Sequence, residues 1–160
     1  MQTRDSRIIR IIERIGEHYR ANIANRFIRP LLLQLPMDKL AWDTLEVLTE
    51  KLDQYRYQGF DVDELYRQII AAARFISLIR RELAPGLRNR IAVTQASGPD
   101  KVMRDMAVNN FNSNLQVFAD LINELYINLV ELDKAEAKGR MPIYARMPEL
   151  RDIGNELIGN

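Results

Sequence analysis

The sequence predicts an all-α fold: a four-helix, mostly antiparallel up-and-down bundle with a long fourth helix and a short C-terminal helical tail. Three stretches, residues 41–55, 62–83 and 108–132, repeat apolar residues at alternating spacings of three and four. That spacing averages about 3.5 residues, close to one helical turn, so each set forms a single stripe on a helix. Such stripes pack on one another at a shallow crossing angle, which is the geometry of a helical bundle.

The composition favours one helical domain over residues 1–139, followed by a tail over residues 140–160 with a short amphipathic helix. Of the 160 residues, 47% are hydrophobic and 28% are charged, as in ordinary globular proteins. The absence of cysteine excludes disulfides, thiolate metal ligands and cysteine nucleophiles. Residues 1–20 lack the apolar core of a signal peptide, and no apolar run is long enough to span a bilayer. We therefore expect a cytoplasmic protein without a transmembrane segment.

The first helix is predicted to begin after Asp5 or Ser6, either of which is a good N-cap. It is predicted to end at Pro30, because proline disfavours helix at the preceding residue. Its apolar stripe comprises Ile8, Ile12, Ile15, Tyr19, Ile23 and Phe27, widened by Ile9 and Ile11. Residues 31–36 are too apolar for an ordinary loop, so we expect them to cover one end of the core.

The second helix is predicted from Asp38 to just before Gly59, and the third from Asp61 to Pro85. Asp61 and Glu64 have the spacing of a capping box, with an acid in place of the usual serine or threonine. Because the link between the two helices is so short, they should form an antiparallel hairpin. The third helix is apolar around much of its circumference and should be the most buried.

The fourth helix is predicted from Pro99 to Lys138, with Gly139 behind it. It would span roughly 60 Å, whereas each of the first three helices would span about 30–35 Å. The fourth helix must therefore overhang or bend. The apolar stripe changes phase at Asn109 and Asn110, and asparagine competes for backbone hydrogen bonds inside a helix. We predict a kink, a break or a change of packing partner at these two residues.

The charge is unevenly distributed along the chain, although its net value is only +1. Residues 1–30 contain seven arginines and three acids, which leaves a charge of +4. Residues 99–138 contain four basic residues and seven acids, which leaves a charge of −3. The first and fourth helices should therefore lie side by side and partly neutralise each other.

No combination of residues specifies a reaction, so we predict no catalytic residue, no metal site and no cofactor. His18 is the only histidine, and Glu13 and Glu17 do not provide the Glu-x-x-His spacing of carboxylate-bridged di-iron sites. No serine lies in a Gly-x-Ser-x-Gly motif, and no Gly-x-Gly-x-x-Gly or Walker A phosphate loop is present. We expect His18 to be solvated or partly packed, and the acids to lie on solvated faces.

Binding to a protein partner, including a second copy of the chain, is the function that the sequence favours most. The fourth helix carries apolar residues beside its main stripe and exceeds its neighbours in length. Beside its core line, Asn112, Asn114 and Asn128 are either buried residues that fix register or exposed filler. We predict a non-enzymatic adaptor, scaffold or chaperone-like protein. The predicted partner-binding residues are Val102, Met103, Met106, Leu121, Tyr126, Ile127, Val130, Met147, Leu150, Ile153 and Leu157.

The alternative is a nucleic-acid-binding regulator that uses the basic face of the first helix and the connection over residues 85–98. The candidate polyanion-binding residues are Arg7, Arg10, Arg14, Arg88 and Arg90. No helix-turn-helix signature or aromatic platform accompanies them, so pairing with the acidic faces of the second and fourth helices is the favoured explanation. Binding of the first helix to a membrane surface is disfavoured, because the bundle needs its isoleucine face.

Overall fold

The computed structural model describes residues 3–26, 28–33, 61–83 and 99–158, and the isolated positions 46, 50, 54, 55, 57 and 59. The helices in these parts of the chain are α1 (Thr3–His18), α2 (Arg29–Leu32), α3 (Val62–Leu78), α4 (Pro99–Ala137) and α5 (Ile153–Ile158). π-Helical turns over Tyr19–Ile23 and Ile79–Leu83 extend α1 and α3, and 3₁₀ turns over Ile143–Arg146 and Pro148–Leu150 precede α5. The described residues contain no β-strand, and the predicted all-α class is confirmed.

The first helix buries the predicted isoleucine face, but its two ends differ from the prediction. It begins at Thr3, and the helical run ends with the π-helical turn at Ile23. Pro30 is therefore not the residue that stops it. Pro30 instead lies in the first turn of α2, where a missing N–H leaves no helical hydrogen bond unmade. The predicted stripe residue Phe27 lies outside the described residues. The buried residues here are Ile8, Ile11, Ile12, Ile15, Tyr19 and Ile23.

Only a few residues of the chain between α2 and α3 are described. Leu32 is fully buried and Leu33 is 57% exposed, so the predicted cover of the core is present at one of these two leucines. Most of the second predicted helix lies outside the described residues, and with it the predicted hairpin. Gly59 has a left-handed φ of 77° and donates its N–H to the Tyr55 carbonyl at 3.2 Å, as expected after a helix end.

The α3 helix begins where its capping residue predicts. The Asp61 side chain accepts hydrogen bonds from the N–H groups of Asp63 at 3.0 Å and Glu64 at 3.4 Å. These bonds satisfy two N–H groups that have no partner within the helix. The predicted end at Pro85 lies outside the described residues. The buried residues of α3 are Val62, Leu65, Tyr66, Gln68, Ile69, Ile70, Ala72, Ala73, Phe75 and Ile76.

The α4 helix runs without interruption through Asn109 and Asn110, so of the predicted kink, break or change of packing partner, the break is excluded. Its described side chains before Phe111 are exposed, with Val102 at 59% and Met106 at 58%. Phe111 is only 1% exposed and joins the hydrophobic core. Both α1 and α3 pack against α4. The core therefore covers α4 from Phe111 onward and leaves the described side chains before it in solvent.

The oppositely charged helices lie side by side, as predicted from their charges. A guanidinium nitrogen of Arg14 on α1 lies 3.8 Å from a carboxylate oxygen of Glu124 on α4. Both side chains are about half exposed, at 57% and 45%, so solvent screens the pair and it contributes little to stability.

After α4 the chain reverses and packs back on the helices that precede it. Lys138 and Gly139, which we call the hinge, have left-handed φ angles of 50° and 89°. The following residues, 140–158, which we call the tail, contact both α3 and α4. Leu150, Ile153 and Leu157 belong to the same hydrophobic core as the longer helices.

Candidate interaction surface

Two sides of α4 are relevant to binding, and the first is the side that lies beneath the tail. Ala119, Tyr126 and Asp133 follow one another at intervals of seven residues, and Val130 lies one turn after Tyr126. This spacing places all four on one side of the helix. The tail contacts α4 and the neighbouring α3. We call the surface of α3 and α4 beneath the tail the tail groove.

Apolar burial is the first contribution that holds the tail in its groove. Leu150, Ile153 and Leu157 are each at most 2% exposed. Full burial of one such side chain contributes about 1.5–3 kcal/mol relative to leaving it in water. Ile143, Tyr144 and Met147 are partly buried and pack against the same core. The amphipathic pattern of the tail is thus satisfied within the chain.

A buried carboxylate is the second contribution. Asp133 is 3% exposed, although the sequence predicted its acids to be solvated. Its Oδ2 accepts hydrogen bonds from the Tyr66 hydroxyl at 2.8 Å and the Tyr144 N–H at 2.9 Å. Its Oδ1 accepts one from the Ile143 N–H at 3.0 Å. A buried carboxylate is costly unless donors surround it, so α4, α3 and the start of the tail become interdependent at this point.

The environment of Asp133 also changes the titration of Tyr66. Burial raises the pKa of the Tyr66 hydroxyl, and its hydrogen bond to Asp133 and the charge of that carboxylate raise the pKa further. Tyr126 and Tyr144 add smaller contributions in the same direction. Tyr66 therefore stays protonated and remains a hydrogen-bond donor to Asp133 well above neutral pH.

An arginine is the third contribution, at the far end of the tail. Arg80 donates to the backbone carbonyls of Glu156 at 2.7 Å and Leu157 at 3.3 Å. Carbonyls at the end of a helix have no partner within it, and a cation there also interacts favourably with the helix dipole. Arg80 also donates to Gln116 Oε1 at 2.8 Å, which ties it to α4. Burial lowers the pKa of Arg80, and the charge of Asp120 offsets only part of this decrease.

The structure divides the predicted partner-binding residues into three groups. Leu121, Leu150, Ile153 and Leu157 are buried in the core of the chain itself. Tyr126, Val130 and Met147 are partly buried and pack against that core. Val102, Met106 and Ile127 are exposed, and the side chain of Met103 lies outside the described residues. The apolar side of the tail is therefore not an exposed surface, because the tail groove covers it.

The second side of α4 faces solvent, opposite the core. Four large apolar residues are exposed along it: Val102 (59%), Met106 (58%), Val117 (45%) and Ile127 (50%). At about 100° per residue, the four positions fall within an arc of roughly 80°, so they lie on one face. We call these four residues the outer face. Val117 was not predicted from the sequence, although its spacing from Met106 was available.

The three asparagines beside the apolar stripe of α4 differ in their exposure and in their hydrogen bonds. Asn112 is exposed, and Asn114 and Asn128 are intermediate in exposure. The Asn128 side chain donates to the Glu124 carbonyl of its own helix at 2.8 Å. Asn114 contributes its backbone carbonyl, which accepts a hydrogen bond from His18 Nε2 at 2.7 Å. The second ring nitrogen of His18 lies 3.3 Å from the side-chain amide of Asn22, so the histidine links α1 to α4 as a partly packed residue.

The predicted polyanion-binding arginines are exposed where the structure describes them. Arg7, Arg10 and Arg14 are exposed on α1, at a spacing that places them on one face. Arg14 also forms the long ion pair with α4 described above. Arg88 and Arg90 lie outside the described residues. The structure therefore brings together three of the five arginines.

A cavity of about 450 Å³ opens beside the hinge. Its charged lining residues are Asp133, Glu136, Arg140 and Arg146. Both oxygens of Asp133 already accept hydrogen bonds, and the other three side chains are exposed, so we assign it no ligand. Among the described residues, no group of histidine and acidic side chains is placed to hold a metal ion. No helix in the described part of the chain is long and apolar enough to cross a membrane.

Comparisons of the chain with known protein families, curated proteins and solved structures give no match.

Proposed function

We propose that this chain is a non-enzymatic cytoplasmic adaptor or scaffold that acts through protein–protein contacts made by the outer face of α4. The exposure of Val102, Met106, Val117 and Ile127 along one face is the observation that carries this proposal. In the same proposal, the helices form a mostly antiparallel up-and-down bundle with α4 as its long fourth member. Self-association through this face is included.

The arrangement of these residues supports the proposal more than their number does. Single exposed apolar residues are normal on a soluble protein. Residues repeated at helical spacing instead match the anchors that a partner helix or groove recognises. From Val102 to Ile127 the face extends over about 38 Å of helix. An antiparallel copy of the same face would form a two-fold symmetric contact.

Charge introduced on the outer face tests the proposal. We expect Val102→Asp combined with Met106→Asp to weaken binding at least tenfold, because the apolar contact would have to desolvate two carboxylates. Asn112→Asp is the control, since it adds one carboxylate at an exposed position of α4 away from the outer face. Light scattering measures self-association, and affinity capture from the native cell followed by mass spectrometry measures partner binding.

The proposed function requires a difference between the two variants. The wild-type chain and the control should form the same complexes, and the outer-face variant should lose those in which the outer face is the contact surface. A wild-type chain that stays monomeric across the concentration range and retains no partner would contradict the proposal. Equal complex formation by both variants would also contradict it.

Binding of a polyanion by α1 is the second candidate. The exposed arrangement of Arg7, Arg10 and Arg14 on one face favours it. It predicts nucleic-acid affinity that falls steeply with salt and with substitution of the three arginines by alanine. Arg67→Ala on α3 is the control, because Arg67 is exposed and pairs with Asp63 four residues earlier at 3.3 Å. The absence of any mobility shift at low salt would exclude this function.

A further inference from the structure

We propose that the tail exchanges between two copies of this chain, so that residues 140–158 of one copy fill the tail groove of the other. The inference concerns the groove beneath the tail and does not depend on the proposed function of the outer face. It rests on three observations: the conformation of the hinge, the type of atoms that the groove recognises, and the cost of leaving the groove empty.

The hinge is the only covalent link between the tail and α4, and it holds an unfavourable conformation. Lys138 has a φ of 50°, in the left-handed region that non-glycine residues rarely adopt. Gly139 follows with a φ of 89°. If these two residues continued the helix of α4, the left-handed conformation at Lys138 would be relieved. The tail would then point away from its own groove.

The groove recognises the tail largely through backbone atoms and apolar side chains. Asp133 accepts from the N–H groups of Ile143 and Tyr144. Arg80 donates to the carbonyls of Glu156 and Leu157. These contacts do not depend on which copy supplies the tail. The closed monomer and the exchanged dimer therefore share the same groove contacts and differ at the hinge.

An empty groove is unfavourable, and this argues for a second tail as its occupant. Without residues 143 and 144, the carboxylate of Asp133 would lose two of its three hydrogen-bond donors. The residues that Leu150, Ile153 and Leu157 now cover would face water. A tail from a second copy supplies the same N–H groups and the same leucine and isoleucine side chains. Two chains whose tails have left their own grooves can therefore restore all of these contacts by filling each other's grooves, as in domain swapping.

A cysteine pair across the groove tests the exchange directly, because the chain contains no native cysteine. A Cβ at Gly154 would lie 3.9 Å from the side-chain oxygen of Asn123. Two full-length chains of different tagged mass are mixed at high concentration and then oxidised, one with Asn123→Cys and the other with Gly154→Cys. We expect the 123–154 disulfide between chains to exceed the 123–123 and 154–154 products at least tenfold.

Two controls define the geometry of this disulfide. Asn155→Cys replaces Gly154→Cys in the first, since Asn155 is the next residue of α5 and is exposed. It should give no preferred disulfide with Asn123→Cys. The second control is a chain with both Asn123→Cys and Gly154→Cys, oxidised at low concentration. It should form the disulfide within one chain, which verifies that the groove is intact.

Substitutions at the hinge should move the equilibrium in opposite directions. Gly139→Ala disfavours the closed turn, and nothing lies within 4 Å of the added Cβ, so only the backbone conformation is affected. We expect Gly139→Ala to favour the open hinge about fivefold in each chain. It should therefore raise the dimerisation constant about 25-fold, because both hinges open in the dimer. Lys138→Gly relaxes the closed turn and should lower the dimerisation constant by a similar factor. If Gly139→Ala does not fold, Lys138→Gly alone still tests the inference, because it should lower the dimerisation constant.

The inference is overturned if no 123–154 disulfide forms between chains at any concentration tested. It is also overturned if neither hinge substitution changes the yield of that disulfide. A dimer that forms with the 123–154 disulfide only within each chain overturns the exchange and assigns self-association to another surface, such as the outer face. Loss of dimer in the Val102→Asp and Met106→Asp chain then supports the proposed function separately.

Discussion

The tail-groove side of α4 and its outer face are both apolar, but the chain buries the first and leaves the second exposed. Beneath the tail, Ala119 is fully buried and Tyr126 and Val130 are partly buried. On the outer face, Val117 and Ile127 remain 45% and 50% exposed. Apolar residues beside the main stripe of a helix therefore indicate a surface that another segment would bury favourably. They do not indicate whether that segment belongs to the same chain or to a partner.

Polar contacts account for part of the difference between the two sides. The tail groove pairs a buried carboxylate and a partly buried arginine with backbone groups of the tail. Because these groups would be poorly satisfied without the tail, they oppose its release. The four residues of the outer face are aliphatic or thioether side chains without such groups. The first side is thus specific for one segment, whereas the second offers apolar contact alone.

The largest expected effect tests where the covered part of α4 begins. Phe111→Ala should lower the free energy of unfolding by about 4 kcal/mol, because Phe111 is 1% exposed and its loss leaves a cavity. Met106→Ala is the matched change five residues earlier, on the exposed part of the helix. It should change the free energy of unfolding by less than about 0.5 kcal/mol. Urea denaturation measures both, and similar losses would show that the core extends before Phe111.

The next effect tests the buried carboxylate of the tail groove. Asp133→Ala removes the acceptor of three hydrogen bonds and should cost about 3 kcal/mol, because buried donors are left unpaired. Trypsin should then cleave at Arg140 and Arg146 sooner, since the start of the tail would be released. Glu136→Ala, at an exposed acid three residues along the same helix, should change neither measurement. Unchanged cleavage in Asp133→Ala would show that apolar contacts alone hold the tail.

The smallest effect is a dependence of stability on alkaline pH. The pKa of Tyr66 is higher in the folded chain than its unfolded value of about 10. The corresponding stabilisation is complete below pH 10 and is lost as the pH rises from there towards the folded pKa. Tyr66→Phe should cost about 1 kcal/mol at neutral pH and should reduce the loss of stability above pH 10.

A matched tyrosine separates Tyr66 from the others in this measurement. The pKa values of Tyr19 and Tyr126 are also raised by burial, so the wild-type profile contains more than one contribution. Tyr57→Phe is the matched control, because it changes a tyrosine that is 86% exposed. If Tyr66→Phe and Tyr57→Phe give the same profile between pH 9 and 12, the hydrogen bond to Asp133 does not govern alkaline stability.

Local signals in the sequence predicted the elements that local physics controls. The capping spacing located the start of α3 at Asp61, and the glycine after the apolar stripe located the end of α4. The prediction that the first helix ends at Pro30 was wrong. Proline is accepted within a first helical turn, and Pro30 lies in the first turn of α2. At Asn109 and Asn110 the predicted break alone is excluded, since two weak helix formers do not interrupt a 39-residue helix; the predicted kink and change of packing partner stay predictions.

The residues that hold the tail were not predictable in the same way. Asp133 resembled the other acids of a solvated face, and its donor Tyr66 is 67 residues away in the sequence. Arg80 is 76 residues from the Glu156 carbonyl that it contacts. The available signal was positional: Asp133 lies seven residues after Tyr126 and one turn after Val130, on an apolar side of the helix. Position alone does not identify the donors.

The sequence by itself determined that this protein is helical and which faces of α1, α3 and α4 are buried, because periodicity and capping act within a few residues. Only the tertiary structure decided what covers each side of α4. That outcome depends on the reversal of the chain at Lys138 and Gly139, which directs the tail onto α3 and α4. It also depends on hydrogen bonds between residues far apart in the chain, whose partners no local pattern encodes.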